Sequence, residues 1–125
     1  HIPEKDGILA ILLLAEVLAI TGKTPQTLWQ EVQDFVGKNY FYDRLDLHVK
    51  DKDAFMAKFN DQSLKEIAGF KVTKIDRTEG AKVYLDNGAW FLARASGTEA
   101  MCRVYFEAND LKELNSIVKA IETMI

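Results

Sequence analysis

With 125 residues, 48% hydrophobic and 28% charged, the chain has the size of one ordinary domain, or one plus a fragment, and enough apolar residues to bury a core, which excludes disorder. A formal net charge of −3 without a local basic stripe excludes a nucleic-acid surface. The longest apolar run, residues 8–20, is broken by Glu16 and falls short of the ~20 residues of a membrane span, and it lacks the basic flank and cleavage site of a signal peptide.

The first element is a helix over residues 7–21 that is apolar on nearly every side, with Ile8, Leu9, Leu12, Leu13, Val17 and Ile20 leaving only Glu16 plainly polar. Such a helix needs cover all round. A domain this small cannot enclose it, so residues 1–38 are expected to be the last helices of a preceding domain. Thr24 followed by Pro25 is an N-cap with a first-turn proline, and Leu28, Val32, Phe35 and Val36 recur at helical spacing up to Gly37. From Asn39 the pattern changes to period two. Phe41, Leu45, Leu47 and Val49 share one parity, while Tyr42, Arg44, Asp46 and His48 share the other.

A second unit therefore starts at about residue 39. Asp51 can cap a short helix carrying Phe55, Met56 and Phe59, and Ser63 with Glu66 has capping-box spacing for a brief turn bearing Leu64 and Ile67. Residues 70–77, 81–86, 89–93 and 101–108 are short runs rich in β-branched and aromatic residues. Asn87-Gly88 between two of them suits a two-residue type I′ hairpin, which needs positive φ at both positions. Asp110 with Glu113 caps a last helix whose Leu114, Val118 and Ile121 point inward. The order β-α-β-β-β-α predicts an α+β domain over residues 39–125, a four-stranded and mainly antiparallel sheet with helices on one face.

Chemistry concentrates in Arg94-Ala95-Ser96-Gly97-Thr98-Glu99, a loop between two strands. A phosphate dianion needs a bidentate fork, hydroxyl donors and backbone N–H groups converging from a concave turn. Arg94 supplies the fork, Ser96 and Thr98 the hydroxyls, and Gly97 allows a conformation closed to other residues and a close backbone approach. Residues alone leave open the alternative of a polar hairpin loop that serves solubility.

The stretch from Trp90 to Ala108 closely resembles the C-terminal phosphate-binding segment of the α-D-phosphohexomutases, which include phosphoglucomutases and phosphomannomutases. His1-Ile2-Pro3-Glu4-Lys5-Asp6-Gly7-Ile8 resembles the family segment that opens the last helix of the third domain. The resemblance extends to Gly69-Phe70-Lys71-Val72 and Asp86-Asn87-Gly88. It implies a four-domain mutase in which a phosphoserine gives its phosphoryl group to a sugar phosphate and the resulting bisphosphate returns the other one. Residues 1–38 would then close the third domain, and residues 39–125 would be the fourth, with a fold like the TATA-box-binding protein and no implied DNA binding. Carried over residue by residue, Arg94, Ser96, Gly97 and Thr98 bind the phosphate that is not reacting. Glu99 and Arg103 support them, and Lys5 is a candidate for proton transfer or substrate contact in the parent enzyme only.

The family's serine and magnesium loops are absent, so the fragment alone is expected to be inactive and to carry no cofactor. Mg2+ and glucose 1,6-bisphosphate belong to the parent, whose partners are a hexose phosphate and the missing N-terminal domains, with no nucleic acid and no membrane. Ala95 and Ala100 replace the prolines common at both ends of the loop, which leaves the free loop more mobile. The rival is a non-enzymatic domain that binds a phosphorylated ligand or another protein.

Other chemistry-bearing residues have structural readings. Glu99 would repel a phosphate if it pointed inward, so it is expected to brace Arg94 or Arg103. Asp43, Asp46, Asp51 and Asp53 serve caps and strand ends rather than a metal, and His48 faces solvent. Trp90, Phe91 and Tyr105 pack in the core or between domains. Cys102 is an inert strand residue that fits a reducing, cytoplasmic setting.

Overall fold

Helix ends in the computed structural model, which describes residues 6–60 and 64–125, fall where side chains can satisfy free backbone groups. Asp6 caps α1 (Gly7–Thr21) by accepting from Leu9 N–H at 2.9 Å, and Gly22 ends it at φ 64°. Thr24 caps α2 (Pro25–Val36), whose proline stands in the first turn, and Gly37 closes it at φ 74°. Both glycines take the left-handed conformation that stops a helix. Contacts divide the chain into two compact units, His1–Lys38 and Asn39–Ile125.

In the first unit α1 and α2 meet at 87°, and no single described helix is long and apolar enough to cross a membrane. Among the described residues of this unit, nothing buries a side chain of α1. Ile8 and Ile20 are 75% and 77% exposed, and only Leu18 is half-buried.

The second unit is built on an antiparallel sheet of six strands in the order β1-β6-β5-β4-β3-β2. Its strands are β1 (Phe41–His48), β2 (Glu66–Ile67), β3 (Phe70–Asp76), β4 (Ala81–Leu85), β5 (Trp90–Ala95) and β6 (Met101–Ala108). Four strands was too low a count. The period-two run from residue 39 and the four β-branched and aromatic runs each form a strand, and Glu66–Ile67, which capping spacing marked as a turn, pairs with β3 as a sixth. Ser63, the proposed cap of that turn, lies outside the described residues.

Alternation along the strands decides which face is buried. Val83, Phe91, Ala93, Val104 and Phe106 are fully enclosed on one side, beneath α3 (Lys52–Asn60) and α4 (Leu111–Glu122). Phe59 of α3 meets Phe55 and Phe91 edge-on at centroid distances of 5.1 and 5.5 Å. From α4, Leu114 and Ile121 are buried as expected, Ile117 is buried beside them, and Val118 packs half-buried at the edge of the core. Asp51 and Asp110 cap the two helices as their positions suggest. Glu113 does not close a capping box; its carboxylate accepts from Asn87 Nδ2 at 2.9 Å and ties α4 to a hairpin.

The two-residue turn with positive φ at both positions does not fall where the sequence placed it. At Asn87-Gly88 only Gly88 has positive φ, 85°, because Gly88 N–H donates to the Leu85 carbonyl and Leu85 pairs with Ala89, which makes a three-residue loop. The two-residue turn with positive φ at both positions is Ala68-Gly69, at 53° and 87°, joining β2 to β3. An alanine there sits in the left-handed region at a cost of about 1–2 kcal/mol. Replacing Ala68 by glycine, whose greater freedom in the unfolded chain takes back part of that gain, is expected to raise stability by about 1 kcal/mol in urea unfolding. A lower midpoint would contradict this turn geometry.

Candidate functional site

The β5–β6 hairpin carries the motif, and its register places the site. Arg94 stands opposite Arg103 and Leu92 opposite Tyr105, all on the sheet face that α3 and α4 leave uncovered. The loop of residues 96–100 closes over this end, with Ser96 N–H donating to the Met101 carbonyl at 2.9 Å. Together they form a pocket of ≈ 230 Å³ lined by Arg94, Ser96, Gly97, Thr98, Arg103 and Tyr105.

The two guanidinium groups are answered unequally. Arg103 reaches Glu99 at 2.9 Å and Asp46 at 3.7 Å, so Glu99 braces Arg103 and not Arg94. Arg94 is exposed and has no hydrogen-bond or ion-pair partner among the described residues. Like charges directly opposed across strands destabilise a sheet, and an anion between them would relieve that.

The loop's donors differ from the simplest expectation. Ser96 N–H is consumed by the protein, while the Gly97 and Thr98 amides and the Thr98 hydroxyl have no partner among the described residues. Ser96 Oγ accepts from Glu99 N–H at 3.3 Å, which leaves its own hydrogen available. Gly97 does not adopt positive φ, so its value lies elsewhere: a Cβ added there would meet nothing within 4 Å, and the backbone stands open to a ligand.

Sequence reading missed two residues. Tyr105 lines the pocket from the uncovered face, and only its parity with Arg103 could have indicated this. Lys52 reaches the loop from α3, donating to the Ser96 carbonyl at 2.8 Å and the Glu99 carbonyl at 3.1 Å; a contact over 44 residues leaves no mark in a linear pattern.

Of the remaining described candidates, only Asp46 reaches this pocket, through Arg103. Lys5 lies outside the described residues. His48 is exposed, and Asp43 and Asp46 bind the Arg44 backbone and side chain respectively. Phe91 is core, but Trp90 is half-buried on the uncovered face, where its Nε1–H donates to Glu107 at 3.0 Å and Lys82 Nζ lies 3.7 Å from its ring centroid. Cys102 is buried on the helix side, and burial pushes its thiol pKa up, so it stays protonated and unreactive. Among the described residues no group of three or more His, Cys, Asp or Glu side chains is placed to hold a metal ion.

The family pattern described as "Phosphoglucomutase/phosphomannomutase, C-terminal domain" matches residues 46–124, most of the sheet unit and the whole loop. The chain belongs to this family. It is 35% identical over 105 residues to a phosphoglucomutase/phosphomannomutase of Thermococcus kodakarensis, covering 83% of this chain and 21% of that protein. A phosphoglucomutase of Komagataeibacter xylinus is 30% identical over 116 residues, with 84% and 20% covered. A probable phosphoglucosamine mutase of Methanothermobacter thermautotrophicus is 28% identical, with 82% and 21% covered. The chain thus spans about a fifth of the length of the curated relatives it matches. A solved phosphoglucomutase/phosphomannomutase family protein of Burkholderia thailandensis covers 70% of this chain and 17% of its own, at 20% identity and a TM-score of 0.48.

Proposed function

We propose that this phosphohexomutase domain grips the phosphate of a hexose phosphate that is not being transferred, while the parent enzyme moves a phosphoryl group between two positions of the sugar. The observation that carries this reading is Arg94: an unanswered guanidinium at the mouth of a pocket that also holds free Gly97 and Thr98 amides. Arg94, Ser96, Gly97 and Thr98 are the ligands, and Tyr105 and Arg103 complete the wall. Glu99 supports them through Arg103.

In the parent, a phosphoserine upstream of this chain donates its phosphoryl group to a free sugar hydroxyl. The bisphosphate turns over, and the phosphoryl group that the sugar first carried passes to the serine, leaving the new one on the sugar. Both half-reactions need the far phosphate held still, and phosphoryl transfer depends chiefly on such positioning and charge stabilisation. The magnesium ion that would supply charge neutralisation belongs to upstream domains, as do any role of Lys5 and the choice of sugar. We assign residues 1–38 to the end of the preceding domain, whose missing walls would cover α1, and residues 39–125 to the fourth, TATA-box-binding-protein-like domain of a cytoplasmic enzyme.

A grip confined to phosphate has a testable consequence. Following amide shifts in the 125-residue chain, glucose 6-phosphate, mannose 6-phosphate and glucose 1,6-bisphosphate are expected to produce saturable changes at Gly97 and Thr98. The two monophosphates should have affinities within about twofold of each other, because every contact assigned to this pocket is to the phosphate and none is to the sugar ring. The chain alone is expected to show no mutase turnover. The exposed apolar surface of α1 favours one other reading, a non-enzymatic interaction domain, for which hexose phosphates would leave the loop amides unmoved.

A further inference from the structure

We propose that Lys52, the first residue of α3, is a positioning residue that turns the loop's amide donors toward the pocket; this rests on the phosphate-gripping reading above. Its ammonium donates to the carbonyls of Ser96 and Glu99, at opposite ends of the loop tip, and does not itself line the pocket. An ammonium offers three donors and no acceptor, so it can only draw carbonyl oxygens toward itself.

Peptide geometry converts that pull into a direction. No described peptide bond is cis, and in a planar trans peptide the carbonyl oxygen and the following N–H point opposite ways. Fixing the Ser96 carbonyl on Lys52 therefore turns the Gly97 N–H away from α3. Gly97 lines the pocket, and its amide is unpartnered among the described residues.

The tip has little else to hold it. Beyond Ser96 N–H to Met101, no backbone–backbone hydrogen bond engages residues 97–100 among the described residues. Pinning the Glu99 carbonyl also holds Glu99 where its N–H donates to Ser96 Oγ, which frees the Ser96 hydroxyl hydrogen for a ligand. One cation on the helix side thus sets both a backbone and a hydroxyl donor on the pocket side. Lys52 acts through the loop, without touching the ligand.

The test titrates the 15N-labelled chain with inorganic phosphate. In the unsubstituted protein the Gly97 amide is expected to move downfield and saturate. In Lys52→Met the affinity should fall about tenfold and the Gly97 response should disappear, while the Arg94 side-chain Nε–H still responds. Lys52→Arg, with donors enough for two carbonyls, should restore both. A purely structural lysine would lower the melting temperature of the Met variant and leave the Gly97 response intact, which overturns the proposal, as does an Arg variant no better than Met. If phosphate moves neither Gly97 nor Thr98 in the unsubstituted chain, the phosphate reading itself fails. Should Lys52→Met not fold, residual dipolar couplings in the unsubstituted chain decide: a Gly97 N–H directed toward α3 contradicts the inference, and one directed away from it supports it.

Discussion

Arg94→Met is expected to remove phosphate binding almost completely while leaving the fold as stable as before, or slightly more so. Two charge-assisted hydrogen bonds from one guanidinium, at about 1.5–3 kcal/mol each, amount to a loss of about hundredfold or more, beyond the range of a weak binding curve. Stability goes the other way because Arg94 faces Arg103 across the strand pair with no carboxylate of its own. Deleting one of two opposed like charges relieves repulsion, and Arg103 keeps Glu99 and Asp46. Calorimetric titration with glucose 6-phosphate and thermal unfolding check the two halves separately. A variant that binds normally, or one that loses several degrees of stability, would show that Arg94 is structural.

Gly80→Ala is expected to cost about 3–5 kcal/mol, from the backbone strain and the overpacking together. Gly80 has φ 127°, a region nearly closed to residues with a side chain, and an added Cβ would lie 2.4 Å from the Ala93 carbonyl oxygen. Backbone in the middle of a sheet cannot step aside as a flexible side chain would. The clash falls on β5, and the next nearest atoms include the Arg94 Cα at 3.4 Å, so the variant should also weaken phosphate binding by displacing the strand that carries Arg94. Urea unfolding measures the first effect. A loss below about 1 kcal/mol would contradict the packing described here.

Much of this architecture is legible in the sequence because it rests on local rules. Thr24, Asp51 and Asp110 mark helix starts through the hydrogen bonds their side chains can make, and the alternation of Cys102, Arg103, Val104 and Tyr105 fixes which way each faces. Turn type is less legible: Asn87-Gly88 has the residues of a type I′ turn, yet the pairing of Leu85 with Ala89 imposes a longer loop, and Ala68 accepts a conformation its side chain disfavours. Short β2 lacks enough residues to show any period, and only its partner β3 makes it a strand.

The site divides in the same way. Arg94, Ser96, Gly97 and Thr98 are contiguous, so a motif reveals them as a group. Which donors remain free depends on non-local partners: Met101 takes the Ser96 amide, Asp46 and Glu99 take Arg103, and Lys52 takes two carbonyls. Ala95 and Ala100 deprive the loop of the stiffness proline would give, and Lys52 supplies a hold from outside the motif. Sequence spacing carries no trace of that hold, because it is made by folding.

The most direct test of the phosphate grip is a crystal structure of the chain grown with glucose 6-phosphate. The phosphate is expected between Arg94 and the loop, its oxygens within hydrogen-bond reach of the guanidinium, the Gly97 and Thr98 amides and the Ser96 hydroxyl, with the sugar directed outward. A phosphate bound elsewhere, or a pocket left vacant with Arg94 folded onto one of the protein's own carboxylates, would contradict it.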